Sequence, residues 1–184
     1  MHFKTLSTEV IHKNPWFEYK HDKCLLPNGQ EADYYYPETF GSGCSMVVPL
    51  LDDGRLLLTA QYRYLRDRQS VEFPCGGIQP PESPSETAQR ELLEETGWRA
   101  DDLIKVGSFE GLNGLVKDTA HVFVARGLEQ VRSPQADPSE TIEIMFRRID
   151  EFEDMIKRGE IWDGQTLASW AMTRDYLYKI LGKV

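Results

Sequence analysis

The chain has 184 residues, 40% of them hydrophobic and 28% charged. That size and balance suit a globular protein that buries roughly 70% of its unfolded surface, and they exclude a largely disordered one. The net charge of −9 is unevenly spread: residues 1–70 carry eight Lys/Arg against nine Asp/Glu, and residues 71–184 carry thirteen against twenty-one. A nucleic acid polymer is repelled by such a surface and is not an expected partner.

No apolar run approaches the ~20 residues of a membrane span, so no membrane association is expected. The opening residues lack the apolar stretch of a signal peptide. Cys24, Cys44 and Cys75 are odd in number and far apart, which argues against a disulfide framework or a zinc site and for a reduced, cytoplasmic protein.

In chain order, Thr5 to His12 and Trp16 to Leu26 have the β-branched and aromatic density of strands. Asn28-Gly29 makes a turn, and Glu31 to Tyr36 returns as the second arm of a hairpin. Gly41-Ser42-Gly43 reads as a linker into the next layer, dividing the chain into a β-strand extension over 1–40 and a larger unit over 41–184. Ser45 to Leu51 and Leu56 to Tyr62 flank Asp52-Asp53-Gly54-Arg55 and predict a second hairpin.

Gly76 to Pro84, with two glycines and three prolines, predicts a loop. A helix follows, capped by Ser83, with Pro84 in its first turn and Glu86 completing a capping box. It is expected to end at Gly97. Leu103 to Phe109 and His121 to Ala125 read as strands, Ser133 to Glu140 as a polar loop, and Ile142 to Phe146 as a further strand. Asp150 to Lys157 and Gln165 to Leu181 carry helical apolar faces. Strands, a helix, more strands and terminal helices predict a mixed α/β sandwich.

The chemistry concentrates in residues 76–98. On a helix, Glu91, Glu94 and Glu95 fall within an arc of about 100°. Like charges one turn apart destabilise a helix by ~0.2–0.5 kcal/mol per pair, and Arg90 relieves only part of that. Glu82 adds a carboxylate from the preceding loop. Oxygen ligands of this kind suit a hard divalent cation such as Mg²⁺ or Mn²⁺ and suit zinc poorly.

This segment resembles the signature of the Nudix hydrolases, G-x5-E-x7-R-E-U-x-E-E-x-G-U with U apolar. The fixed positions are met by Gly76, Glu82, Arg90, Glu91, Glu94, Glu95 and Gly97, with Leu92 and Trp98 at the apolar ones. With residue frequencies near ~7%, chance agreement at one start is on the order of 10⁻⁸. The resemblance implies an α/β/α sandwich around a mixed sheet and hydrolysis of a nucleoside diphosphate linked to another group. It implies that Glu91, Glu95 and the backbone carbonyl of Cys75 hold Mg²⁺ (or Mn²⁺), with Glu94 close by and catalytic. Arg90 and Glu82 orient the carboxylates.

Outside the signature, three features are similar to the ADP-ribose and nucleotide-sugar pyrophosphatases of that family. They are the strand-rich first forty residues, Gln61-Tyr62-Arg63 ahead of Glu72-Phe73-Pro74-Cys75-Gly76-Gly77, and the acidic loop ending at Glu140. The resemblance implies a homodimer joined through the N-terminal strands, a small nucleotide substrate contacted by Arg63, and Glu140 as base or additional metal ligand. Glu143 and Asp137 are alternatives for that last role. Trp16 and Tyr36 are candidates to stack on the base. Gly111 to Leu115 lacks the proline that ADP-ribose members commonly carry there, which leaves GDP-mannose or another nucleotide sugar open. Dinucleoside polyphosphates, nucleoside triphosphates and a binding-only role are the alternatives.

Overall fold

The structure, a computed structural model, describes residues 2–135 and 141–182. Nine strands and three α-helices are formed among them. β1 (Lys4–Lys13), β2 (Phe17–Leu25) and β3 (Glu31–Pro49) build an antiparallel sheet, which continues through β8 (Lys117–Gln130) to β7 (Trp98–Phe109). β3 and β8 run parallel; the other pairs in this sheet are antiparallel, so the sheet is mixed. A second sheet has the order β5 (Arg68–Glu72), β4 (Arg55–Arg63), β9 (Ile142–Arg148). The helices are α1 (Pro84–Thr96), α2 (Ile149–Lys157) and α3 (Gly164–Ile180).

The central strands alternate between two buried faces, as a strand's two-residue period requires. Met46 and Val48 of β3 and Leu50 just beyond it, with Ala120, Val122 and Val124 of β8, pack against Leu56, Leu58, Phe152, Trp170 and Leu177. On the other face, Val47, Phe123 and Ala125 meet Ala88 and Leu92 of α1. Helices therefore cover both sides of the mixed sheet, and the expected α/β sandwich is found. Among the described residues, no helix is long and apolar enough to cross a membrane.

Two expected connections differ. Gly41 to Gly43 is no linker: β3 runs through it unbroken. Gly41 and Gly43 have φ of 68° and 145°, and a Cβ on either would overlap the backbone of Ile78 or Thr119. Glycine here lets one strand leave β2 and pack close against its next neighbours. The hairpin expected around Asp52 to Arg55 also does not form a ladder. β3 and β4 enter different sheets, and the turn between them is closed by the Leu50–Leu56 bridge and by the Leu51 N–H donating to the Arg55 carbonyl at 2.9 Å. Burial of the two strands in separate layers overrides the pairing that the local turn chemistry favours.

The N-terminal sheet is laced by charge. Lys20 donates to Glu38 at 2.5 Å, Lys117 lies 2.7 Å from Glu38, and Lys13 donates to Glu18 at 2.9 Å. Burial pushes the Glu38 carboxyl up, but Lys117 and Lys20 outweigh it and hold it below the usual glutamate range. Lys13 and then Lys20 lower Glu18. A carboxylate lowered on folding contributes stability that is complete above its unfolded pKa and is lost as pH falls through the folded value. Thermal melts should therefore show an acid-side loss of stability below pH ~4 that is shallower in Lys20→Met. Parallel pH profiles for the two proteins would contradict this.

Candidate active site

Helix α1 starts as the sequence directs. Ser83 Oγ accepts from the Glu86 backbone N–H at 3.3 Å, and Glu86 Oε2 accepts from the Ser83 N–H at 2.7 Å, closing the capping box. Ser45 Oγ donates to the Pro84 carbonyl at 2.7 Å, fastening the helix start to β3. Ala88 and Leu92 are fully buried against the sheet. The helix presents Arg90, Glu91, Glu94 and Glu95 to a cavity of about 700 Å³, with Glu95 on the flank of the buried face.

The loop expected over Gly76 to Pro84 begins as strand. β6 (Cys75–Gly77) pairs with Cys44–Met46 of β3, because Gly76 and Gly77 can lie flat against it. Gly76 has a second role. A Cβ there would fall inside the Glu91 carboxylate, so the missing side chain is the space in which Glu91 sits. Glu95 is almost wholly buried, at 5% exposure.

Arg90 organises the acids. Its Nε donates to Glu82 at 2.9 and 3.1 Å, its Nη1 to Glu91 Oε1 at 2.6 Å and to Glu94 Oε2 at 3.0 Å, and its Nη2 to the Gly77 carbonyl at 3.1 Å. Partial burial opposes the guanidinium charge, but Glu82, Glu91 and Glu94 raise its pKa above the ordinary value. Glu82 is held below the usual range, chiefly by Arg90 and also by Thr87, whose hydroxyl donates to it at 3.0 Å. Oxygen donors thus converge on one polar cavity, a set that fits a hard divalent cation. In this conformation no three His, Cys, Asp or Glu side chains among the described residues already cage an ion, and Arg90 engages Glu91 and Glu94.

The other expected residues divide between clefts. Cys75 borders the main cavity, as does Trp16, which is 74% exposed at its rim beside Thr39 and Phe40. Arg63 does not border it. Its guanidinium makes a two-pronged pair with buried Glu72 in a neighbouring cleft of about 560 Å³ lined by Tyr62, Trp162 and Asp163. Tyr36 lies in a separate cleft of about 480 Å³ on the N-terminal sheet, where its hydroxyl donates to Asp22 at 3.3 Å. Glu143 is exposed on β9 opposite Ala60. Glu140 and Asp137 lie outside the described residues.

Sequence reasoning missed Cys44, Asp118 and Gln165, which share the main cavity. Gln165 also borders the Arg63 cleft and a third one of about 810 Å³ between α3 and residues 109–118. Its only sequence signal was its place just after Asp163, whose side chain caps α3 by accepting from the Thr166 N–H at 2.7 Å.

Comparisons with known proteins agree with this geometry. Residues 43–170 match the model of the NUDIX domain, and residues 3–36 match that of the nucleoside diphosphate sugar hydrolase N-terminal domain. An ADP-ribose pyrophosphatase of Bacillus subtilis is 29% identical over 164 residues, covering 89% of this chain and 88% of its own. One from Mycobacterium tuberculosis is 30% identical over 168 residues, covering 90% and 80%. A GDP-mannose pyrophosphatase of Yersinia enterocolitica is 27% identical over 175 residues, covering 89% and 91%. The crystal structure of an ADP compounds hydrolase shares the fold at a TM-score of 0.86 and 22% identity, covering 100% of this chain and 98% of its own. The complete acidic signature, its convergence on one cavity and the match over residues 43–170 lead to one conclusion: the chain belongs to the Nudix hydrolase family, in the branch of the ADP-ribose and nucleotide-sugar pyrophosphatases.

Proposed function

We propose that this enzyme is a Mg²⁺-dependent pyrophosphatase of nucleoside diphosphate sugars, such as ADP-ribose or GDP-mannose. Water adds across the P–O–P bridge, giving a nucleoside monophosphate and a sugar phosphate and releasing about two protons at neutral pH, one from each new phosphate monoester. The observation that carries this reading is the convergence of Glu91, Glu94, Glu95 and Arg90 on the cavity rimmed by Trp16. Names of relatives support the substrate class.

Glu91, Glu95 and the Cys75 carbonyl would hold Mg²⁺, or Mn²⁺ in its place. When bound, the ion neutralises pyrophosphate oxygens and lowers the pKa of water. Arg90 and Glu82 orient the carboxylates through the contacts given above, and Glu94, beside them, is assigned to catalysis. Glu140 is assigned as the base, or as a further ligand. Trp16 and Tyr36 are assigned to the base of the nucleotide. Arg63 is assigned to the sugar-phosphate end, in the cleft that shares Gln165 with the main cavity.

Initial rates with single compounds test the substrate class. ADP-ribose or GDP-mannose should be consumed at least ~10-fold faster than diadenosine polyphosphates or nucleoside triphosphates, a difference of ~1.4 kcal/mol in barrier. The reverse order would overturn it.

We assign residues 1–40 to dimerisation and nucleotide binding and residues 41–184 to the chemistry. β1 is exposed along its whole length, with Leu6, Val10 and Ile11 each close to half exposed. A second copy is the partner that would cover these side chains. Light scattering at micromolar concentration should give twice the chain mass of 21.2 kDa, and a monomer would remove this assignment.

A further inference from the structure

Cys44 and Cys75 both line the main cavity, and the proposed hydrolysis leaves their thiols unused. In the β3–β6 ladder Cys44 lies opposite Gly77, and Cys75 opposite Met46. The two cysteines are therefore diagonal neighbours on one face of the ladder, and both border the cavity that holds Glu91 and Glu95. One carboxamide spans them: Gln165 Oε1 accepts from Cys75 Sγ at 3.7 Å, and Gln165 Nε2 donates to Cys44 Sγ at 3.8 Å. Both thiols are free.

Diagonal neighbours in a sheet have Cα atoms ~7–8 Å apart, whereas a disulfide needs ~4.4–6.8 Å. A modest shift closes the difference. β6 has only three residues and pairs with β3 alone, so it is the element able to move. That movement would take the Gly76 backbone off the Glu91 carboxylate and carry the Cys75 carbonyl with it.

We propose that Cys44 and Cys75 form an oxidisable thiol pair, and that a peroxide joins them in a disulfide that reversibly shuts the site. One thiol attacks a peroxide oxygen, the O–O bond breaks, and a sulfenic acid and water form. The second thiol then attacks that sulfur, the S–O bond breaks, and a second water leaves. The two sulfurs are oxidised together by two electrons and the peroxide is reduced. Cys24 takes no part: it is buried on β2, with its Sγ donating to the Ala32 carbonyl at 3.4 Å.

The test treats reduced protein with hydrogen peroxide, alkylates what remains and maps the tryptic peptides. Arg55, Arg63, Arg66 and Arg68 lie between the two cysteines, so a link joins separate peptides. A Cys44–Cys75 peptide lighter by two hydrogen atoms is expected, with Cys24 alkylated. Hydrolysis of ADP-ribose should fall at least ~10-fold and return with dithiothreitol, while Cys44→Ser should keep its activity and resist peroxide.

Both cysteines recovered alkylated, a linked peptide with unchanged activity, or Cys44→Ser losing activity as wild type does would each overturn the proposal. The activity readout rests on the proposed hydrolysis; the peptide map does not. A reduced enzyme inert toward ADP-ribose would count against the hydrolysis, and the map would still decide the pairing. Should Cys44→Ser not fold, reversal by dithiothreitol in the wild type decides.

Discussion

Glu95→Gln should lower metal-dependent turnover at least ~100-fold, ~2.7 kcal/mol of barrier, with little cost to the fold. Glu95 is almost wholly buried at the cavity beside Glu91, one helical turn away. Glutamine keeps its size and one carbonyl oxygen but removes the charge that would hold a divalent ion. Its removal also relieves the repulsion between carboxylates at i and i+4. The melting temperature should therefore stay within ~2–4 °C, the equivalent of ~1 kcal/mol for a chain of this length. Steady-state kinetics and a thermal melt on the same preparation check both halves. Retention of more than about a tenth of the activity would remove Glu95 from the metal site.

Gly76→Ala should separate activity from stability in the same way, through a different cause. Gly76 is outside the left-handed region, so alanine suits its backbone and restrains the unfolded chain, which is worth ~0.4–1 kcal/mol. The atoms nearest the added methyl are those at the far end of the Glu91 side chain, which can swing aside. Stability should then change by less than ~1 kcal/mol, while turnover falls ~100-fold or more, because Glu91 can no longer occupy its place. Unchanged turnover would mean that the position of Glu91 does not matter. A collapse of stability together with activity would mean that Gly76 serves the fold alone.

Much of this was legible in the residues. The capping box of α1 rests on contacts within four residues, so Ser83, Pro84 and Glu86 announced it. The signature from Gly76 to Trp98 is a local string whose chemistry survives being read in one dimension. What failed depended on distant partners. Gly41 and Gly43 resemble a linker until Ile78 and Thr119 are seen packed against them. The turn at Asp52 to Arg55 resembles a hairpin until its arms are found in different layers. Gln165 lies ninety residues from Cys75, and no spacing rule connects them. The two-pronged pair of Arg63 with Glu72 likewise reaches along the ladder, whose register sets Arg63 opposite Arg68 and Glu72 opposite Thr59, and it is invisible in a string that also offers Arg66, Asp67 and Arg68.

The carboxylate cavity of α1 is proposed as a metal-dependent pyrophosphatase site. The most direct measurement incubates the protein and Mg²⁺ with a mixture of ADP-ribose, GDP-mannose, UDP-glucose, diadenosine polyphosphates and nucleoside triphosphates, and identifies what is lost and formed. Loss of sugar-linked diphosphates is expected, matched by nucleoside monophosphate and sugar phosphate, with no loss after chelation of the metal. Persistence of every compound with Mg²⁺ or Mn²⁺, or hydrolysis that survives chelation, would contradict it.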